Sequence, residues 1–311
     1  MTVFVYLALC AGAVVFAVAS AARAWMYAKA PIHLRWELYP VPHEDPEKVR
    51  HGGSYFEDKD WWTRKRAFNL AGELRVMVPE MLFLNALREF NRKLWYRSFP
   101  FHFGLYMLAA SCGLVFVAAV AGLLAPALMA GALGTALRWA YTAAGAVGMA
   151  LALFGALALL HRRLTDPDLK TYTTAGDLFN LLFFIVAFGV LAAGIVLRSP
   201  GEPGAVGLVR GLLTFDRALQ VPGLLGTGVV LCALLAAYIP LTHMSHFVGK
   251  YFTYHDVRWN DKVNLRGSAI EAKLTEYLTY RPTWSAAHVG ADGKRTWADV
   301  ATTNPWEGAK K

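Results

Sequence analysis

The sequence predicts an all-α membrane protein with five transmembrane helices, an outside N-terminus, a long cytoplasmic loop and an irregular cytoplasmic C-terminal tail. Three observations carry this. Of 311 residues, 56% are hydrophobic and only 17% charged, against roughly a quarter charged in a soluble domain. Five charge-free runs reach the roughly 20 apolar residues needed to cross a bilayer core of about 30 Å. Finally, 27 of the 31 Lys/Arg fall in three segments that lie on one side of such a topology.

The runs follow in order. The first is Val3–Ala22. Ala19-Ser20-Ala21 resembles a signal-peptide cleavage site, but no basic residue precedes the apolar stretch, so the run is read as a retained helix. The second opens after Arg97 and stays uncharged to Leu137; Pro126 and the Gly/Ala-rich residues after it place a span over Phe99–Leu124 and a tight turn beyond. The third covers Trp139–Leu160, the fourth Leu178–Leu197, and the fifth Ala218 to Phe247. Residues 23–97 carry 14 basic residues, the 161–177 loop carries Arg162, Arg163 and Lys170, and the chain from His243 onward carries 10. The other side holds only Arg138, Arg198, Arg210 and Arg217. That bias orients the chain with the basic segments inside, in the inner (cytoplasmic) membrane. It also explains the net charge of +9 without nucleic acid. The expected segments are residues 1–25 (first span), 26–98 (cytoplasmic loop), 99–248 (four membrane helices) and 249–311 (tail).

Within the loop, Phe83, Leu87, Phe90 and Leu94 recur at helical spacing against Arg88, Glu89, Arg92 and Lys93, which predicts an interfacial helix over 79–97. In the tail, Trp259, Trp284, Trp297 and Trp306 stand among Gly, Asp and Lys, a composition suited to covering a partner subunit. Cys10, Cys112 and Cys232 form no CxxC or Cys/His spacing, so the chain lacks its own iron–sulfur or zinc motif.

Four of the nine histidines fall at or near membrane depth: His102, His161, His243 and His246. Ionisable side chains there are functional candidates by default. His102 lies five residues past Arg97 on an outgoing helix, and His246 four before Lys250 on a returning one. Both therefore sit about 6–8 Å inside the boundary. Two imidazoles at matched depth suit one haem iron held from opposite faces; interhelical hydrogen bonding and a proton relay are the other uses open to them. His243 lies one turn deeper, on nearly the same helical face as His246, placed for a propionate, a quinone oxygen or a neighbouring helix. His161 reads as a snorkelling interfacial residue.

The stretches Phe99-Pro-Phe-His-Phe-Gly104, His161-Arg-Arg-Leu-Thr-Asp166 and Pro240-Leu-Thr-His-Met-Ser-His-Phe247 together resemble the cytochrome b subunits of the respiratory nitrate reductase gamma family. The resemblance leans toward the branch in sulfate reducers that works with heterodisulfide-reductase-like partners, the Tmc, Dsr and Hdr types. It implies haem b with His102 and His246 as axial ligands, menaquinone as substrate and a cytoplasmic iron–sulfur partner of the heterodisulfide-reductase type. A periplasmic multihaem cytochrome c is a further partner of such complexes. Arg97, Arg162, Arg163 and Lys250 ring the inner boundary and are candidates for propionate contacts. The gamma subunit's second, outer haem would take ligands at positions occupied here by Cys112 and Gly228, and Met107 and Met149 have no evident partner. The expectation is one haem b, on the cytoplasmic side; a second on His161 and His243 is the lesser alternative. With no outer haem, quinone is expected in the cytoplasmic half, beside His243. The competing functions are a haem-free membrane anchor and a small proton-coupled transporter, though neither internal repeats nor broken midplane helices are evident.

Overall fold

A computed structural model describes residues 1–30, 41–65, 69–260, 262–286 and 290–304. Among them, five helices are long and apolar enough to cross a membrane: Thr2–Ala28, Arg92–Leu124, Ala132–Thr165, Ala175–Val196 and Gly223–Leu241. The chain divides into two compact units. One comprises Met1–Ala24 and Glu73–Lys250, the other Trp25–Gly72 and Tyr251–Lys311.

In the first unit the second to fifth spans share a core of Phe101, Ala152, Ala156, Phe184, Ala187, Phe188 and Leu235. Small residues set the helix spacing. A Cβ on Gly104 would collide with the backbone of Ala152 and Gly148, and one on Gly155 with the backbone of Phe101. The second and third spans therefore touch backbone to backbone, the usual way apolar helices associate where lipid removes any gain from hiding apolar surface. Phe4, Leu7, Val14, Phe116, Val117, Phe154, Leu157 and Val186 are exposed on the spans, an apolar surface fit for lipid.

At one end of the bundle, Val5 and Tyr6 of the first span pack with Leu208, Val221, Leu225 and Val229. Thr2 Oγ1 donates to the Leu219 carbonyl at 2.7 Å, and Tyr6 Oη to the Asp216 carbonyl at 3.1 Å. Leu208 belongs to the short helix Ala205–Thr214, which the sequence analysis did not anticipate. At the opposite end Arg23 clamps the close of the fifth span. Its Nε and Nη2 donate to the carbonyls of Pro240 and Leu241, each at 3.2 Å. A cation there satisfies orphan carbonyls and opposes the helix dipole.

Three expectations change. The fifth span covers Gly223–Leu241 rather than running from Ala218 to Phe247. Pro222 stands at its start; Pro240 withdraws an N–H near its end, and Thr242 leaves the helix with φ −114° and ψ −176°. His243–Ser245 form a 3₁₀ turn, and His246–Phe252 a separate short helix. His243 and His246 therefore do not share one helical face. Likewise, no single helix runs over 79–97: Leu84 adopts a left-handed conformation (φ 52°) and Asn91 a non-helical one (φ −146°, ψ 71°), separating Leu70–Phe83, Asn85–Phe90 and the long second span that begins at Arg92. The expected stripe is split across three elements, leaving Phe90 82% exposed.

The third change concerns loop and tail, which build the second unit together. Val41 and Trp259 are buried in it, with the Trp259 ring 4.8 Å from Tyr254 and 6.4 Å from His43. Trp259 is thus committed to an internal core rather than offered to a partner. Trp284 and Trp297 remain exposed, 5.9 Å apart; Trp306 lies outside the described residues. The tail also holds the helices Ala269–Leu278 and Trp297–Thr302 and a two-stranded antiparallel pair, Ser285–Ala286 with Ala291–Asp292.

Two outcomes follow from this unit. Trp259→Ala removes a buried indole at about 3–5 kcal/mol, and limited proteolysis should cut within 25–72 and 251–304 far faster than in the parent. Asp299, which accepts from the backbone N–H and hydroxyl of Thr296 in a capping box, is held below the usual carboxylate range by those bonds. The folded value lies below the unfolded one of about 3.9, so the cap's contribution is complete above that pH and disappears as the pH falls through the folded value. An acid titration followed by NMR should show residues 297–302 losing helical shifts over that window in the parent, but not in Asp299→Asn.

Candidate functional site

The end of the first unit that carries Arg23 also gathers the membrane-depth histidines. His102 sits in the second span, half-buried, and its placement follows from the local helix. The backbone carbonyl of Ser98, one turn earlier, lies 2.8 Å from His102 Nδ1, with the Ser98 hydroxyl at 3.3 Å. A carbonyl only accepts, so Nδ1 carries the proton and Nε2 keeps its lone pair free. A metal-binding imidazole is commonly oriented through its other nitrogen in this way.

His246 opens the short helix beyond the Thr242 break, exposed, and comes to His102 from the side. The two ring centres are 6.0 Å apart and the planes inclined at 65°. A metal bonded to two imidazole nitrogens at about 2 Å each, with roughly 1 Å from nitrogen to ring centre, requires ring centres about 6 Å apart. The separation therefore fits two imidazoles that could share one metal ion, and the exposure of His246 leaves the pair open from outside the bundle. Among the described residues no group of three or more His, Cys, Asp or Glu gathers, so the pair offers two ligands.

The other candidates separate from this pair. His243, on the 3₁₀ turn, faces the fourth span, where its Nε2 lies 3.3 Å from Asn180 Nδ2. Tyr238 Oη donates to Asn180 Oδ1 at 2.8 Å. His161 is exposed on the third span; its backbone carbonyl accepts from the Thr165 hydroxyl, and among the described residues its ring makes no hydrogen bond. Arg162 pairs with Asp166 at 3.4 Å and Arg163 with Asp177 at 3.5 Å. Each guanidinium thus meets one carboxylate through a single nitrogen. Arg97 donates to the Lys93 carbonyl at 2.8 Å and pairs with no carboxylate among the described residues. Lys250 pairs with Glu80 at 3.4 Å.

Sequence reasoning missed Asn180 and Tyr238. The available signal was Asn180 itself, the one polar side chain in the 178–197 run, buried at 6% exposure.

At the far end, the fourth and fifth spans cross closely. A Cβ on Gly228 would meet the Leu191 backbone at 2.5 Å, so the fifth span rests directly on the fourth there. Cys112 is a free, exposed thiol.

The sequence model of the nitrate reductase gamma subunit family matches residues 88–260, which take in the second to fifth spans and both His102 and His246. The chain belongs to this family. Nitrate reductase gamma subunits are cytochrome b-type membrane subunits of multi-subunit complexes; they transfer electrons and bind haem b. With five apolar helices, the chain is a multi-pass membrane protein. Comparison with curated proteins and with solved structures returns no match.

The closed helix crossing at Gly228 has a measurable consequence for this gamma-family chain. Gly228→Val should lower the thermal unfolding midpoint in detergent by several degrees, since overpacking costs about 1–3 kcal/mol. Gly223→Ala, where a Cβ meets open space, should leave it unchanged within error.

Proposed function

We propose that the chain is the haem b subunit of a respiratory redox complex in the inner membrane, passing electrons between menaquinone and a cytoplasmic iron–sulfur subunit of the heterodisulfide-reductase type. The observation that carries this reading is the approach of His102 and His246. Their ring centres stand 6.0 Å apart in a chain of a haem-binding family. His102 and His246 would hold the haem iron, and the Ser98 carbonyl, by taking the Nδ1 proton of His102 in a hydrogen bond, would leave its Nε2 lone pair free for the metal. Haem b supplies a one-electron centre between a two-electron quinol and one-electron clusters. Arg97, which pairs with no carboxylate among the described residues, could meet a propionate, as could Arg162 and Arg163.

The basic segments support a cytoplasmic location for this end. Cys10, Cys112 and Cys232 are free and sit on three different spans, which supports a partner as the source of iron–sulfur clusters. The reading puts quinone at the same end, beside His243, because Cys112 and Gly228 stand where the family resemblance would set outer-haem ligands. A quinol oxidised at the outer face would have to send its electron across most of the roughly 30 Å hydrocarbon core.

Reduced-minus-oxidised spectra of the membrane-embedded protein test the ligand pair. His102→Ala and His246→Ala should each abolish the b-type α-band while the protein stays membrane-inserted, and His161→Ala should retain it. Retention in His246→Ala with loss in His161→Ala would transfer the site to the other histidines.

A further inference from the structure

The first unit contains a polar contact set inside its apolar region that haem ligation does not use. Asn180 lies one turn into the fourth span, buried, between Tyr238 of the fifth span and His243 beyond the break. A buried amide among hydrocarbon side chains is costly unless each end is matched, and here each is. The Tyr238 hydroxyl donates to Oδ1, which leaves Nδ2, a donor only, against His243 Nε2. His243 Nε2 is then the acceptor, and the ring proton sits on Nδ1. Among the described residues Nδ1 makes no hydrogen bond, and the His243 residue is exposed. Beside it the Tyr238 ring stands 5.7 Å from both Phe179 and Phe183, with Phe179 53% exposed toward the bundle's exterior.

We propose that Asn180 is the positioning residue of a quinone site, holding His243 so that its Nδ1–H serves as a hydrogen-bond donor to a quinone carbonyl, with the Phe179–Tyr238 aromatic face flanking the ring. Three features select this ligand class. The donor is fixed in one tautomer, suiting an acceptor that carries no proton. The flank is aromatic and open to the bundle's apolar exterior, the route of a lipid-soluble ring. The donor lies three residues before His246 in the chain, on the turn that precedes the helix carrying it. Tyr238 sets the amide's orientation, and Asn180 acts only through His243. The inference rests on the quinone reading above and goes beyond it by naming what orients the donor.

The test uses the full-length, haem-loaded protein in lipid nanodiscs, with calorimetric binding of a short-chain naphthoquinone and the haem spectrum as the check on integrity. His243→Ala and Asn180→Leu should each weaken binding about tenfold, the size of one lost hydrogen bond, with the α-band unchanged. The double variant should be no weaker than His243→Ala alone, because Asn180 has no route to the ligand except through that ring. Tyr238→Phe, which keeps the ring but frees the amide, should weaken binding twofold to fivefold, and it stands in for Asn180→Leu should that variant lose its haem. Multiplied effects in the double variant, near a hundredfold, would overturn the positioning role, as would unchanged binding in Asn180→Leu or, in its place, Tyr238→Phe. Unchanged binding in His243→Ala would instead remove the quinone reading itself.

Discussion

Apolar helices bathed in lipid gain little by hiding apolar surface from one another, so this bundle relies on how closely its backbones approach. Gly104 is where that matters most. It lies two residues past His102 and rests on the backbone of Ala152 and Gly148, while Gly155 receives the backbone of Phe101. The contact fixes the rotation of the second span about its axis and hence the direction in which His102 leaves it. Phe101 then turns into the core against Phe184 at 5.0 Å, and His102 turns toward His246. The Ser98 carbonyl completes the orientation from within the same helix turn. A bulkier residue at 104 would shift the helix that carries the ligand candidate, not merely loosen a packing contact.

The second dependence is the break after Pro240. Had the fifth span continued as one helix, His243 and His246 would have shared a face and competed for the same surroundings. The extended Thr242 and the 3₁₀ turn after it send His243 to the fourth span and His246 to the second. Arg23 holds the break by taking the two carbonyls that the interrupted ladder exposes. Two adjacent histidine positions thereby acquire separate partners.

The spans were legible because a bilayer demands length and apolarity, properties that a run such as Leu178–Leu197 displays without reference to any neighbour. The histidine pair was legible through matched depth, counted from Arg97 and Lys250. What escaped was decided by tertiary contacts. Leu84 carries no sign of a left-handed turn, since leucine seldom adopts one, and the apolar spacing across it read as a continuous helix. Pro240 was visible, but proline within the last turn is compatible with either a kink or an end. Trp259 differs in no local way from Trp284 or Trp297; only its company with Val41, His43 and Tyr254 distinguishes a buried tryptophan from exposed ones.

The Arg23 clamp bears on how the molecule is made. Arg23 and Pro240 are separated by 217 residues, so a chain emerging into the bilayer displays the arginine long before its carbonyl partners exist. His102 likewise waits through three further spans for His246. The histidine pair and the clamp are therefore completed in the same late event, the arrival of the fifth span. A chain stalled or truncated before that point carries a well-packed second and third span, with Arg23 and His102 but without the partners of either. Quality control in the membrane would then have a simple criterion to act on: an arginine near the bilayer boundary with no helix terminus to cap.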